Sequence, residues 1–144
     1  MTSLFWAIFI KRIRYISITK LEHLQTVMME SDFISIHVHL SSETTGLISR
    51  ELLNLTKIGV FLINTSRGQV LDEGALLDGL ISGHIGGAGL DVLTGEPLIA
   101  NHPLVEYAKK NSNLLITPHC GGYSPDAVRI VCKHAAEKVV RYIV

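Results

Sequence analysis

The chain has 144 residues, 47% of them hydrophobic, and its 13 basic residues balance its 13 acidic residues. This length supports one domain with a real core, and the apolar content excludes a disordered segment. The even charge gives no reason to expect nucleic acid or an anionic membrane as a partner. Cys120 and Cys132 do not make a disulfide framework or a zinc site, which fits a reducing, cytoplasmic compartment.

Residues 1–19 are predicted to be a lead-in that matches the rest of the chain poorly. An apolar run at residues 4–10 precedes Lys11, Arg12 and Arg14, which reverses the charge order of a signal peptide. The run is too short to span a bilayer. We therefore expect a strand or an irregular lead-in, and the loose alternation at residues 14–19 is compatible with a strand. An anchor lying in a membrane interface is the weaker alternative.

From residue 20 onward, helical and extended patterns alternate. Apolar residues at helical spacing, serine and threonine caps and terminal glycines define the helices. The predicted helices span residues 20–30, 49–57, 72–83, 103–110 and 124–144. The predicted strands span residues 33–40, 60–64, 87–93 and 113–117. This alternation predicts an α/β fold in which helices cover a parallel sheet.

Particular residues mark the ends of these helices. The expected N-caps are Thr19, Ser49 and Ser124, and Pro125 suits the first turn of the last helix. Gly59 is expected to stop the second helix. The last helix is predicted to carry one apolar face, formed by Val128, Val131, Cys132, Ala135, Val139 and Tyr142.

Residues 59–73, GVFLINTSRGQVLDE, form the stretch around which the sequence is organised. A short apolar run is broken by polar residues and Gly68, as expected at the C-terminal end of a buried parallel strand. Ligands bind at this end of the strands in open α/β sheets. Arg67 lies there, beside a glycine that lets a ligand approach the backbone. The alternative is a surface arginine in a loop.

Chemically useful side chains follow three predicted strands. Arg67 suits a substrate carboxylate because a guanidinium donates two parallel hydrogen bonds. His119 suits proton transfer near neutral pH. If their strands are adjacent, Glu96 can hold His119 in one orientation. The alternatives are that Asp91 caps a turn, that Glu96 is a solvated loop acid and that His119 is structural.

No metal site is predicted. His37 and His39 lie two residues apart on one strand face, but no third ligand is evident. Cys120 adjoins His119, and neighbours in an extended segment point in opposite directions. A cysteine–histidine nucleophile is therefore not expected.

Four segments together resemble the D-isomer-specific 2-hydroxyacid dehydrogenases, which include phosphoglycerate dehydrogenase and the glyoxylate and hydroxypyruvate reductases. The segments are SDFISIHVHLSSETTGLI, GVFLINTSRGQVLDEGAL, GAGLDVLTGEP and NLLITPHCGG. The resemblance implies that residues 20–144 are the C-terminal part of an NAD(P)-binding domain, a partial Rossmann-like, doubly wound parallel sheet. It implies NAD or NADP as cofactor and interconversion of 2-keto acids and D-2-hydroxy acids.

The resemblance also implies a role for each matching residue. Arg67 would bind substrate, Glu96 would be the partner of the catalytic histidine, and His119 would be the acid/base. Asp91 would contact the nicotinamide carboxamide. The remaining cofactor contacts would come from Val38, Thr65, Ser66, Arg67 and the backbone of His119, Gly121 and Gly122.

Two features depart from the family pattern. His39 stands where the family usually has proline, and the sequence contains no Gly-x-Gly-x-x-Gly loop to cradle a pyrophosphate. We therefore expect the second half of a dinucleotide-binding domain, inactive by itself and forming a homo-oligomer. One alternative is a non-catalytic remnant that acts as an interaction or assembly module. A nucleotide-independent binding module is another, and the intact Arg67, Glu96 and His119 set disfavours it.

Overall fold

The alternation of patterns becomes a four-stranded sheet with helices in the structure, a computed structural model that describes residues 23–143. The strands are β1 (Phe33–Ile36), β2 (Val60–Asn64), β3 (Ile85–Leu90) and β4 (Leu114–Ile116). The helices are α1 (Leu24–Glu30), α2 (Arg50–Asn54), α3 (Glu73–Ser82), α4 (Pro103–Ala108) and α5 (Pro125–Ile143). One turn of 3-10 helix, Gly68–Val70, lies between β2 and α3.

All strand pairs are parallel, and the strand order is β1-β2-β3-β4. This arrangement confirms the predicted α/β class. Each connection advances by one strand, so right-handed crossovers place their helices on the same face of the sheet. One core of buried side chains from β1 to β4 and from α1 to α4 fills that face. Its fully buried residues include Met28, Leu62, Leu76 and Leu104.

Several predicted helix ends are confirmed. Ser49 caps α2, since its side chain accepts a hydrogen bond from the amide of Leu52 at 3.5 Å. Ser124 caps α5 in the same way through the amide of Ala127, at 3.1 Å. Gly83 ends α3 in the left-handed region, with φ of 77°, where a residue without Cβ is unstrained.

The predicted strand at residues 33–40 is too long, because β1 ends at Ile36. That residue pairs with Asn64, the last residue of β2, so residues 37–40 have no ladder partner. The predicted strand at residues 87–93 is shifted, because β3 is Ile85–Leu90. Pairing begins where Val60 meets Ile85. Residues 91–93 instead leave the sheet and enter a turn.

Three predicted helices are also too long, since α4 ends at Ala108 rather than at residue 110. His23 is extended, so α1 begins at Leu24, and the predicted helical residues 20–22 lie outside the described residues. Helix α2 ends at Asn54, because the amide and hydroxyl of Thr56 both turn back to the carbonyl oxygen of Leu53. Gly59 lies beyond this turn with φ of 85° and leads into β2. The predicted cap Thr19 and the strand at residues 14–19 lie outside the described residues.

The second face of the sheet carries exposed apolar side chains. Phe33 and Phe61 stack with ring centroids 5.3 Å apart, and both are exposed. Ile63 and Leu115 are exposed on the same face. The predicted apolar face of α5 is exposed as well, as far as residue 141. Within residues 23–143, no helix combines the length and the apolar content needed to cross a membrane.

Candidate functional site

The ends of three neighbouring strands bring the predicted site residues to one edge of the sheet. Arg67 follows β2, Glu96 follows β3 and His119 follows β4. Because β2, β3 and β4 are parallel neighbours, all three segments leave the sheet at its C-terminal edge. The crevice at this edge is where open α/β sheets bind ligands.

Asn64 shapes the loop that carries Arg67. Its side chain is fully buried at the end of β2. Oδ1 accepts hydrogen bonds from the amide and the hydroxyl of Ser66, at 3.0 and 2.9 Å. Nδ2 donates to the carbonyl oxygen of Arg67 at 3.0 Å. Sequence reasoning missed this role, although a polar residue in step with the inward-facing Val60 and Leu62 was the available signal.

The side chain of Arg67 is exposed at the mouth of this loop. Its Nη1 donates to the carbonyl oxygen of Ser66 at 2.6 Å. Among the described residues it forms no ion pair with a carboxylate. Within residues 23–143, the other four guanidinium N–H donors form no hydrogen bond, so they can serve a ligand.

Glu96 and His119 are in direct contact. His119 Nδ1 lies 2.7 Å from Glu96 Oε2, and Glu96 Oε1 accepts from the amide of Leu93 at 2.6 Å. Both carboxylate oxygens are thus engaged, which fixes the glutamate side chain. A histidine that donates from Nδ1 keeps Nε2 available, and the His119 side chain is 45% exposed. The pair can present one nitrogen of fixed orientation to a bound molecule.

The backbone of His119 adopts an unusual conformation. Its φ is 53°, in the left-handed region that few residues other than glycine adopt. Asp91 holds this loop: Oδ1 accepts from Thr117 Oγ1 and, at 2.9 Å, from the amide of Cys120, while Oδ2 accepts from the amide of Gly121 at 2.8 Å. Such conformations persist where surrounding contacts enforce them, and they cluster at functional sites.

The ionisation of Asp91 follows from the same contacts. Burial alone would raise the pKa of this carboxyl, but the hydrogen bonds from Thr117, Gly121 and Cys120 outweigh burial. The nearby His119 acts in the same direction as the hydrogen bonds. The pKa of Asp91 therefore lies below its ordinary value, and the residue is a carboxylate near neutral pH.

Two glycines allow close approach of the loops. A Cβ on Gly68 would overlap the backbone of Leu93 and Thr94, so the Arg67 loop lies directly on the turn that leads to Glu96. A Cβ on Gly121 would come within 2.9 Å of Asp91 Oδ2. The absence of a side chain at Gly68 lets the Arg67 segment pack against the Glu96 segment. At Gly121 it lets Asp91 form hydrogen bonds with the His119 loop.

The remaining candidate cofactor residues also lie along this edge. Val38 follows β1 and is half-buried, whereas Thr65 follows β2 and is exposed. Ser66 is half-buried in the Arg67 loop, and Gly122 is exposed in the His119 loop. Together they extend from the end of β1 to the end of β4.

The alternatives of a metal site and of a cysteine nucleophile concern His37, Cys120 and Cys132. His37 contacts Ser35 Oγ through Nε2 at 2.7 Å. Cys120 and Cys132 are free thiols. Within the part of the chain that the structure describes, no three histidine, cysteine, aspartate or glutamate side chains are grouped to hold a metal.

The fold and the site define a parallel α/β domain with arginine, glutamate and histidine at its C-terminal edge. The sequence model of the D-isomer specific 2-hydroxyacid dehydrogenase family, NAD binding domain, matches residues 1–121. The chain belongs to this family, which confirms the resemblance found in the sequence.

Relatives with curated descriptions agree. The D-3-phosphoglycerate dehydrogenase of Bacillus subtilis is 38% identical over 122 residues, which cover 82% of this chain and 22% of that protein. The Escherichia coli enzyme of the same name is 36% identical over 124 residues, which cover 86% of this chain and 30% of that protein. The chain therefore spans less than a third of the length of either relative.

Solved structures share the fold. An acyclic imino acid reductase in complex with NADPH and D-Arg matches with a TM-score of 0.76 and 32% identity, over 84% of this chain and 37% of that chain. The NAD-complexed D-isomer specific 2-hydroxyacid dehydrogenase of Lactobacillus delbrueckii ssp. bulgaricus matches with a TM-score of 0.72 and 32% identity. That match covers 81% of this chain and 39% of the dehydrogenase.

Proposed function

We propose that this chain contributes the catalytic edge of an NAD(P)-dependent enzyme that interconverts 2-keto acids and D-2-hydroxy acids. The observation that carries the proposal is the 2.7 Å contact between His119 Nδ1 and Glu96 Oε2 beside the Arg67 loop. An acid/base, its orienting carboxylate and a carboxylate-binding cation are the groups that this reaction needs. Membership in the family supports the same reaction.

Arg67 binds and orients the substrate in this proposal. Its exposed guanidinium can grip the carboxylate of a 2-keto acid through two parallel hydrogen bonds. The buried side chain of Asn64 holds the backbone beneath it, so the cation is presented from a fixed loop. This fixes which end of the substrate faces the His119 loop.

His119 moves the proton. With Nδ1 held by Glu96, Nε2 gives a proton to the carbonyl oxygen during reduction and takes the hydroxyl proton during oxidation. Glu96 holds the ring in one orientation, since its carboxylate accepts the Nδ1 hydrogen bond. The nicotinamide ring, when bound, supplies or accepts the hydride at the neighbouring carbon.

The nicotinamide end of a dinucleotide fits this edge. Val38 offers an apolar surface, Thr65 and Ser66 offer hydroxyl groups, and the exposed Gly122 leaves room for a ligand at the His119 loop. Asp91 contacts the nicotinamide carboxamide in this proposal, and its carboxylate also supports the cofactor site by holding residues 117–121. NAD and NADP satisfy these contacts equally.

Turnover measurements on matched variants test the proposal. They require a protein in which this chain is joined to the phosphate-binding loop and the substrate domain of a relative. We expect His119→Ala to lower kcat by roughly 100- to 10,000-fold, the usual contribution of general acid/base catalysis. Cys120→Ala, the neighbouring control, should change kcat little. Equal losses in both variants would refute the role of His119.

A second candidate function is assembly. The exposed Phe33, Phe61, Ile63 and Leu115 form an apolar sheet face suited to association with another copy, which supports a homo-oligomer. A non-catalytic module would keep this association without any response to NADH or to a 2-keto acid. Turnover of a 2-keto acid by the joined protein described above therefore separates the two candidates, because a non-catalytic module gives none there.

The cellular setting and the domain division are part of the proposal. Free thiols at Cys120 and Cys132 support a reducing compartment such as the cytoplasm. Residues 20–144 are assigned to the cofactor-binding domain and residues 1–19 to a lead-in, although the family match begins at residue 1.

A further inference from the structure

The side chain of Glu73 contacts two other elements next to the candidate site. It lies in the first turn of α3, and its side chain is only 12% exposed. Oε1 accepts a hydrogen bond from the amide of Thr94 at 2.9 Å, and Oε2 lies 3.2 Å from His102 Nε2. One carboxylate therefore connects α3, the turn after β3 and the start of α4.

His102 is fixed by contacts at both ring nitrogens. Nδ1 accepts a hydrogen bond from the amide of Leu104 at 3.2 Å, which caps α4. A neutral ring that accepts at Nδ1 carries its proton on Nε2, the nitrogen that faces Glu73. The side chain is 15% exposed, so His102 and Glu73 form a largely buried pair of defined orientation.

The same turn carries Glu96. Consecutive amides of this turn are held by two carboxylates: Leu93 donates to Glu96 Oε1, and Thr94 donates to Glu73 Oε1. The other oxygen of Glu96 meets His119. The position of the turn therefore decides whether Glu96 reaches the histidine.

We propose that Glu73 and His102 are positioning residues for the Glu96–His119 pair, an inference that rests on the proposed function. Neither residue contacts the His119 ring. Without the Glu73 carboxylate, the Thr94 amide turns to water and the turn loosens. Glu96 then loses the geometry that holds the Nδ1 proton of His119, and the tautomer with a free Nε2 is no longer enforced.

Nitrogen NMR spectra of the imidazole rings test this in the chain itself, at a pH where the rings are neutral. The unmodified chain should show His119 protonated at Nδ1. Glu73→Ala should lose this preference, and exchange of the Leu93 amide should accelerate roughly tenfold or more, the size expected for a hydrogen bond to a charged acceptor. His102→Asn keeps an oxygen to cap α4 but does not reach Glu73, so it should shift both readouts in the same direction.

His84→Asn is the matched control. His84 is also a half-buried histidine between two elements, with Nε2 3.0 Å from Thr56 Oγ1 and 3.2 Å from the carbonyl oxygen of Leu53. Its loss should lower stability without altering the His119 tautomer. If His84→Asn changed the His119 tautomer and the Leu93 exchange rate as much as Glu73→Ala does, the effect would follow from lost stability alone. That result would overturn the proposal.

A folded Glu73→Ala with unchanged His119 and Leu93 signals would also overturn it. If Glu73→Ala does not fold, His102→Asn decides, because unchanged spectra in that variant contradict the proposal. The spectra require neither cofactor nor substrate. Failure here is therefore distinct from failure of the turnover experiment.

Discussion

Asp91 and Asn64 are buried polar side chains whose hydrogen bonds go to the two loops of the candidate site. Asn64 bonds Ser66 and Arg67, and Asp91 bonds residues 117–121. Within the described residues, no buried side-chain polar atom lacks a partner. A buried polar group that loses its hydrogen bond costs free energy. Movement of either loop would break such bonds, so these two side chains fix the loops in place.

We expect Asp91→Asn to lower the free energy of unfolding by about 1–3 kcal/mol. The NH2 group of the asparagine side chain cannot accept the hydrogen bond that the Gly121 amide donates to Asp91 Oδ2. Urea unfolding measures the change. Asp126→Asn is the control, because it is the same substitution at an exposed site. Among residues 23–143, Asp126 pairs only with Arg129, at 3.4 Å, so its replacement should have little effect. Equal losses at the two sites would contradict the loop-holding role.

The pKa of Asp91 also predicts a dependence on pH. Because the folded value lies below the unfolded value, the carboxylate stabilises the fold fully above the ordinary aspartate pKa of about 3.9. This contribution is lost as the pH falls through the folded pKa. The difference in the free energy of unfolding between the unmodified chain and Asp91→Asn should therefore become smaller as the pH falls below about 4. A difference that is constant or grows would contradict the assignment.

At the scale of elements, Gly68 sets how closely the end of β2 approaches the turn after β3. We expect Gly68→Ala to destabilise the fold by about 1–3 kcal/mol, because its Cβ overlaps the backbone of Leu93 and Thr94. Gly89→Ala is the matched control, since a Cβ there meets nothing within 4 Å. It should be neutral or stabilising by about 0.4–1 kcal/mol. Thermal unfolding compares the two, and a harmless Gly68→Ala would refute the close contact.

At the scale of the whole molecule, the apolar sheet face predicts self-association. Among the described strands, β1 pairs only with β2, so its other edge has unpaired backbone groups. This edge and the exposed apolar face can both associate with another chain. We expect the 144-residue chain to elute above monomer mass at tens of micromolar. Phe61→Gln should weaken this, whereas Leu98→Gln, at an isolated residue that is 91% exposed, should not. Elution of the unmodified chain as a monomer at all of these concentrations would count against self-association.

The 144-residue chain by itself should bind NADH weakly and should not turn over a 2-keto acid. The printed sequence has no Gly-x-Gly-x-x-Gly loop to hold the pyrophosphate. Hydride transfer also requires near-attack geometry in a closed, dry cleft. Calorimetry with NADH measures this directly. Low-micromolar binding, or oxidation of NADH in the presence of glyoxylate, would show the prediction to be wrong.

The sequence by itself determined the properties that depend on local patterns. Alternating apolar runs and cap residues predict the order of helices and strands, because each element buries one side and must satisfy its own ends. The placement of Arg67, Glu96 and His119 after successive strands predicts their common edge, because parallel strands end together.

The tertiary structure decided what depends on partners distant in the chain. Strand β1 stops at Ile36 because β2 ends opposite it, and β3 begins at Ile85 because Val60 pairs there. No local pattern specifies the left-handed φ of His119, which Asp91 maintains from 28 residues away (119 − 91). The Glu73–His102 pair spans 29 residues in the same way. Such contacts form only when the sheet has brought distant segments together, so their geometry is a property of the fold.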